Sequence, residues 1–240
     1  MSTPVRTQYL RIKRDYPNTI LFFRLGDFYE TFDDDAKTVS QVCDIVLTSR
    51  PVGKDERVPL AGVPYHAVDG YIARLIAAGH RVAIVEQTGE QSGGLMEREV
   101  VRVVTPGTVI EPALLDARRN NYLVALLIEE GQAGLAYADI TTGEFATMEC
   151  RGSEAEGAVW EEVARLQPAE LLVASSQAEA LRQRAAERAD GLAGRVTPLE
   201  AWRWEERNAR QALLEHLQVA SLAGFGCEDR PAAVRAAGAI

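Results

Sequence analysis

The sequence predicts an α/β protein built as two domains. Three observations lead there. The chain has 240 residues, enough for one or two domains. Apolar, β-prone runs alternate with stretches of helical periodicity. A Pro- and Gly-punctuated segment, "PGTVIEPALLDARRN", separates two halves of different charge. Residues 1–108 carry 13 Lys+Arg against 14 Asp+Glu, whereas 121–240 carry 11 against 19. The predicted organisation is a domain over 1–108, a linker over 109–120 and a second domain over 121–240.

Thr3-Pro4 reads as an N-cap followed by proline at the first helical position. Val5, Tyr9, Ile12 and Tyr16 recur at helical spacing, and Pro17 stops the helix. "TILFFRL" is an apolar strand that turns through Gly26-Asp27 into a second strand at Phe28. "DDDAKTVSQVCD" opens on cap-type acids and reads as a helix. "IVLTS" is predicted as a third strand, "RPVGKDER" as a polar loop and "VPLAGVP" as a strand. "HAVDGYIARLIAAGH" places Val68, Ile72, Leu75 and Ile76 on one helical face, with Gly79 suited to close it. "RVAIVEQ" and "REVVRVVT" are two more strands, with "TGEQSGGLME" expected as the loop between them. The first domain is therefore a mixed β-sheet flanked by helices.

In the second domain, "YLVALLIEE", "AGLAYADI" and "GEFATMEC" are three strands on short turns, a meander. "SEAEGAVWEEVARL" is helical and opens with Ser153 and Glu156 at capping-box spacing. "AELLVAS" is a buried strand. A helix follows from about Gln177, then the strand-like "RVTPL" and the helical "EERNARQALLEHL". "RPAAVRAAGAI" starts another helix that the chain is expected to end inside without a cap, which suggests a fragment of a longer protein. Three antiparallel strands, a helix and further strand–helix units make an RNase H-like α/β order.

The totals exclude several classes. No apolar run approaches the length of a membrane span, and "MSTPVRTQYLRIKRD" lacks the apolar core of a secretory signal. Cys43, Cys150 and Cys227 are widely separated and odd in number, which fits reduced cytosolic thiols rather than a disulfide framework or a zinc site. The expected location is the cytoplasm. A net charge of −9 argues against a general nucleic-acid coat. All three lysines, Lys13, Lys37 and Lys54, lie in the first domain, so any contact with phosphates belongs there.

Catalytic motifs are missing from the sequence. Around Gly53-Lys54, Thr48 stands where a P-loop has its first glycine and Asp55 where Ser or Thr should follow. There is no G-x-S-x-G and no H-E-x-x-H, and His66, His80 and His216 are isolated. An RNase H-type nuclease needs clustered carboxylates for two metal ions. The second domain offers Asp139 beside a turn and Glu156, Glu161 and Glu162 near a helix start, where acids also suit the dipole.

"LGDFYETF" carries the most information. Strand alternation puts Phe28, Glu30 and Phe32 on one face and Tyr29 and Thr31 on the other. Either Phe28 packs in the core with Glu30 at a rim, or this face meets a ligand that takes both a stacking ring and an acceptor. A DNA base step is such a ligand: an apolar wedge in the minor groove unstacks and kinks the duplex. A carboxylate near phosphates is repelled, so Glu30 would read a base donor and penalise intact duplex.

"GDFYE", preceded by "QYLRIKRDYPNTILFFRL", resembles the start of the MutS family of bacterial DNA mismatch repair proteins, as do "VPLAGVPYHAVDGYIARLIAAGHRVAIVEQ" and "REVVRVVTPGT" leading into "NNYLVAL". "ADITTGEF", "PAELLVA" and "FGCEDRPAAVRAAGA" look like that family's connector domain. The resemblance covers essentially the whole chain. It implies a mismatch-recognition domain followed by the RNase H-like connector. It places Phe28 on the family's wedge, Glu30 on its mismatch-reading glutamate, and Arg50 and Arg98 on basic DNA contacts. Where the family's loop commonly carries a lysine and a glycine, this chain reads "QSGGLMER" without the lysine. The resemblance further implies mismatched double-stranded DNA and a MutL-type protein as partners, a homodimeric parent, and ATP and Mg in an ATPase domain lying outside this sequence. This fragment would then hold no cofactor and be no enzyme. A protein-interaction module with Phe28 buried, and a metal nuclease, remain the alternatives.

Overall fold

The computed structural model describes residues 4–51, 57–92, 95–110, 115, 118–188 and 191–240. The chain separates into two compact units, Met1–Pro106 and Gly107–Ile240, each taken by itself below.

The first unit is a six-stranded mixed sheet in the order β3-β4-β2-β1-β5-β6. Its strands are β1 (Ile20–Leu25), β2 (Phe28–Phe32), β3 (Thr48–Pro51), β4 (Arg57–Pro64), β5 (Val82–Ser92) and β6 (Leu95–Val104). Only β1 and β5 run parallel; the other neighbours are antiparallel. The helices are α1 (Pro4–Asp15), α2 (Asp33–Cys43) and α3 (Val68–Ala77). Alternation along β1 sends Leu21 and Phe23 to one face, where they pack with Tyr9 and Ile12 of α1, Phe32, Val58 and Val85. The other face carries Phe22 stacked on Tyr29; α2 packs against β2 and β4, and α3 against β4 and β5. Asp33, Asp34 and Asp35 occupy the first turn of α2, where the helix dipole favours negative charge. Asp35 is buried and accepts from the Tyr9 hydroxyl at 2.8 Å, Lys13 Nζ at 2.7 Å and the Leu21 amide at 3.1 Å, which ties α1, α2 and β1 together.

The second unit is a five-stranded sheet in the order β11-β10-β7-β8-β9. The strands are β7 (Leu123–Glu129), β8 (Gln132–Asp139), β9 (Glu144–Arg151), β10 (Glu170–Ala174) and β11 (Val196–Leu199). β7, β8 and β9 form the antiparallel meander, and β10 and β11 run parallel to β7. This is the RNase H-like order expected. Both faces are covered. Val124 and Leu126 pack under α4 (Ala155–Leu166) and α5 (Ala178–Arg188), whereas Leu123, Ala125 and Leu127 pack toward Trp204 and α7 (Pro231–Ala237). Helix α6 (Glu206–Leu217) lies on α7.

Four local expectations are corrected. Most of the expected loop over 88–97 is strand: β5 continues to Ser92 and β6 starts at Leu95, with register shifts along the pair, and 93–94 lie outside the described residues. β3 starts at Thr48 rather than Ile45, and Val46 is almost fully exposed, because the register with β4 begins at Thr48↔Leu60. Ser153 and Glu156 form no capping box. Glu154 is the N-cap residue with no side-chain cap bond, and Glu156 pairs with Arg184 instead. The last helix closes at Ala237 with Gly238 as its cap, so the chain does not end inside it. The expected N-cap at Thr3 falls outside the described residues; of the expected polar loop at 50–57, Arg50 and Pro51 lie in β3, Arg57 lies in β4, and 52–56 fall outside the described residues.

Candidate nucleic-acid interface

The turn at Gly26-Asp27 sets the site. Gly26 has φ +60°, a conformation that costs a residue with Cβ and is open to glycine. Two bonds fix the turn: Arg24 Nε donates to the Gly26 carbonyl at 2.6 Å, and the Tyr65 amide donates to the Asp27 carbonyl at 3.0 Å. The Arg24 guanidinium also lies over the Tyr65 ring, 4.0 Å from its centroid. β2 therefore leaves a braced corner.

Along β2 the burial changes within one face. Phe32 is buried under α1, Glu30 is half-buried, and Phe28 is 47% exposed. Phe28 and Glu30 thus continue a core face past the point where α1 covers it, which is why an aromatic and a carboxylate stand side by side. Across the ladder Phe28 faces Pro64 and Glu30 faces Gly62. A Cβ on Gly62 would lie 3.8 Å from Glu30 Cγ and 3.9 Å from Phe28 Cδ1, so the glycine leaves both side chains uncovered on that flank. The opposite face of β2 anchors it. Tyr29 is buried, and its hydroxyl donates to Glu86 on β5. Burial, followed by the bond to Glu86, pushes the Tyr29 phenol up to about 12.

Arg50 and Arg98 have different fates. Arg50 Nη1 donates to Glu30 Oε2 at 2.7 Å, so the structure joins those two site residues. Arg98 is 5% exposed. Its Nε donates to the Arg24 carbonyl at 2.7 Å, and its Nη1 donates to the Met96 carbonyl at 2.8 Å and Gln8 Oε1 at 3.0 Å. In this conformation Arg98 is a buried interior brace rather than an exposed cation. Sequence reasoning passed over Gly62, Arg24 and Tyr65. A lone cation inside "FFRL" was the available signal for Arg24.

The acids of the second unit serve structure. Asp139 is buried and accepts from the Thr141 amide at 2.9 Å, the Thr141 hydroxyl at 2.6 Å and the Asn121 amide at 3.2 Å. Burial pushes its carboxyl up, and these bonds outweigh that and hold it low. Glu156 pairs with Arg184 and Glu162 with Arg165. Among the described residues no three His, Cys, Asp or Glu side chains are grouped to hold a metal ion, and no helix is long and apolar enough to cross a membrane.

An RNase H-like unit, preceded by a mixed sheet with one exposed ring and one half-buried carboxylate at its corner, defines the class as a two-unit α/β protein. Residues 3–113 match the family model described as MutS domain I, and residues 121–240 match MutS domain II. The chain belongs to the MutS family of DNA mismatch repair proteins. It is 47% identical to the DNA mismatch repair protein MutS of Dehalococcoides mccartyi over 99% of its own length, and 46% identical to that of Symbiobacterium thermophilum over 99%. The MutS of Roseiflexus castenholzii is 43% identical over 97% of the chain. In each case the chain spans 27% of the relative's length.

Proposed function

We propose that the first unit recognises mispaired or unpaired bases in duplex DNA, with Phe28 as the wedge and Glu30 as the base contact, both acting from the minor groove. The observation that carries this reading is the exposure of Phe28 beside Glu30 at the end of a face that is otherwise core. A buried ring would favour the protein-interaction alternative.

The chemistry follows from the two side chains. A base stacked on the Phe28 ring contributes about 1–3 kcal/mol. Reaching that stack means unstacking a step, which costs least where pairing is already defective. Glu30 adds nothing to general affinity, because a carboxylate among phosphates is repelled. It accepts a hydrogen bond from a base displaced by the wedge, whereas a matched step that keeps its own partners offers the carboxylate no donor.

The relatives' share of length and the absence of a P-loop from this sequence support a division of labour. This portion senses DNA; ATP and Mg would act elsewhere in a homodimeric parent. The second unit would serve as the connector to a MutL-type partner, with its acids as fold contacts and surface charge.

Glu30→Ala in the full-length protein tests the reading at fixed salt. The expected result is tighter binding to matched duplex and a smaller preference for a mismatch. Unchanged affinities for both duplexes would assign Glu30 a purely structural role.

A further inference from the structure

Glu30 is not a bare carboxylate. Arg50 sits opposite Val58 on one side of β4, and Glu30 sits opposite Gly62 on the other. The even offset puts both on the same face, and their side chains meet at 2.7 Å with the arginine 45% and the glutamate 20% exposed. A reader of bases that carries its own cation has its charge cancelled while no base is engaged.

We propose that Arg50 is the removable counterion of Glu30. It stays on the carboxylate in the free protein and over matched duplex. It is released to a backbone phosphate when Glu30 takes a donor from a displaced base. This rests on the mismatch-reading account above and adds a specificity-determining role for Arg50.

Two properties make the exchange feasible. A partly exposed ion pair contributes little to stability, so opening it costs little. Arginine binds phosphate with a charge-assisted, often bidentate geometry, so its new partner replaces the old one. Over matched duplex no base donor replaces Arg50, and releasing it would leave Glu30 unpaired among phosphates. The released arginine thus adds a phosphate contact on mismatched DNA alone, and discrimination comes from the exchange.

The test is a double-mutant cycle in the full-length protein: wild type, Glu30→Gln, Arg50→Gln and the double variant, each binding a matched duplex and a duplex with one G·T pair at fixed salt. On matched duplex, Arg50→Gln is expected to weaken binding about three- to tenfold when Glu30 is present, and less than about twofold in the Glu30→Gln background. On the G·T duplex the loss is expected to be the same in both backgrounds, because the pair is already open. Additive effects on both duplexes would make Arg50 an independent phosphate contact and overturn the proposal. Equal coupling on both duplexes would show that the pair never opens, with the same consequence. Phe28→Ala in the same assay separates the two levels: if it leaves G·T preference intact, the mismatch reading itself fails, whatever the cycle gives.

Discussion

Arg98 donates from Nε to the main-chain oxygen of Arg24 at 2.7 Å, and Arg24 in turn holds the turn from which Phe28 emerges. A cation at the foot of one hairpin therefore braces the corner of another. Arg98→Ala removes three hydrogen bonds from a buried site, those to the Arg24 carbonyl, the Met96 carbonyl and Gln8 Oε1. The expected cost is about 2–4 kcal/mol of stability, read from urea unfolding. In Arg98→Gln, which removes the charge, the slope of log affinity on log salt should stay unchanged. A slope smaller by about one would make Arg98 a phosphate contact after all.

Gly134 on β8 lies directly under the first turn of α7. A Cβ there would overlap the carbonyl of Ala232, and side-chain bonds hold the helix in that place. Glu149 accepts from the Ala232 and Ala233 amides at 2.8 and 3.3 Å, and Thr147 Oγ1 reaches the Ala233 carbonyl at 3.0 Å. Gly134→Ala should cost about 3 kcal/mol or more, or displace α7. Wild-type thermal stability in this variant would contradict the close approach.

Tyr29 gives the first unit an alkaline limit. Its folded value, about 12, lies above the ordinary 10.0. Its contribution is fully present below pH 10 and is lost as pH rises toward 12, because the unfolded phenol ionises first. Tyr29→Phe should flatten stability against pH over that window, followed by far-ultraviolet circular dichroism. An unchanged slope would remove the Tyr29–Glu86 bond from the account.

Asp139 does the reverse in acid. Held below the ordinary 3.8, it stabilises the second unit above that value and loses its contribution as pH falls through its folded value. Asp139→Asn should lower stability by about 1–3 kcal/mol at neutral pH and weaken the acid dependence. Metal-dependent cleavage of DNA that Asp139→Ala abolishes would revive the nuclease reading.

Much of the fold was legible because its signals are local. The ILFFRL and LVALLI runs, the helical spacing of Val68, Ile72, Leu75 and Ile76, and the glycine turns each read correctly in isolation. The failures came where tertiary pairing overrode local chemistry. The Gly- and Glu-rich stretch after Gln87 looks like a loop, yet ladder bonds between β5 and β6 draw it out as strand. Ser153 and Glu156 have the spacing of a capping box, but Arg184 from another helix claims the glutamate. At the site, alternation placed Phe28 and Glu30 on one face, while only the structure showed that α1 stops short of them. The burial of Arg98 was not legible, because the arginine's length, which lets it reach Gln8 and Arg24, leaves no mark on periodicity.

The central claim is that Phe28 reads defective pairing. It is tested most directly by the affinity of the full-length protein for a duplex with one G·T mismatch and for its matched counterpart, at one salt concentration, with and without Phe28→Ala. The expected result is a preference for the mismatch in the parent protein and its loss in the variant, since the ring supplies the stack that only a defective step yields cheaply. A preference that survives the loss of Phe28, or a parent protein with none, would contradict the account and make the protein contacts of the second unit the better reading.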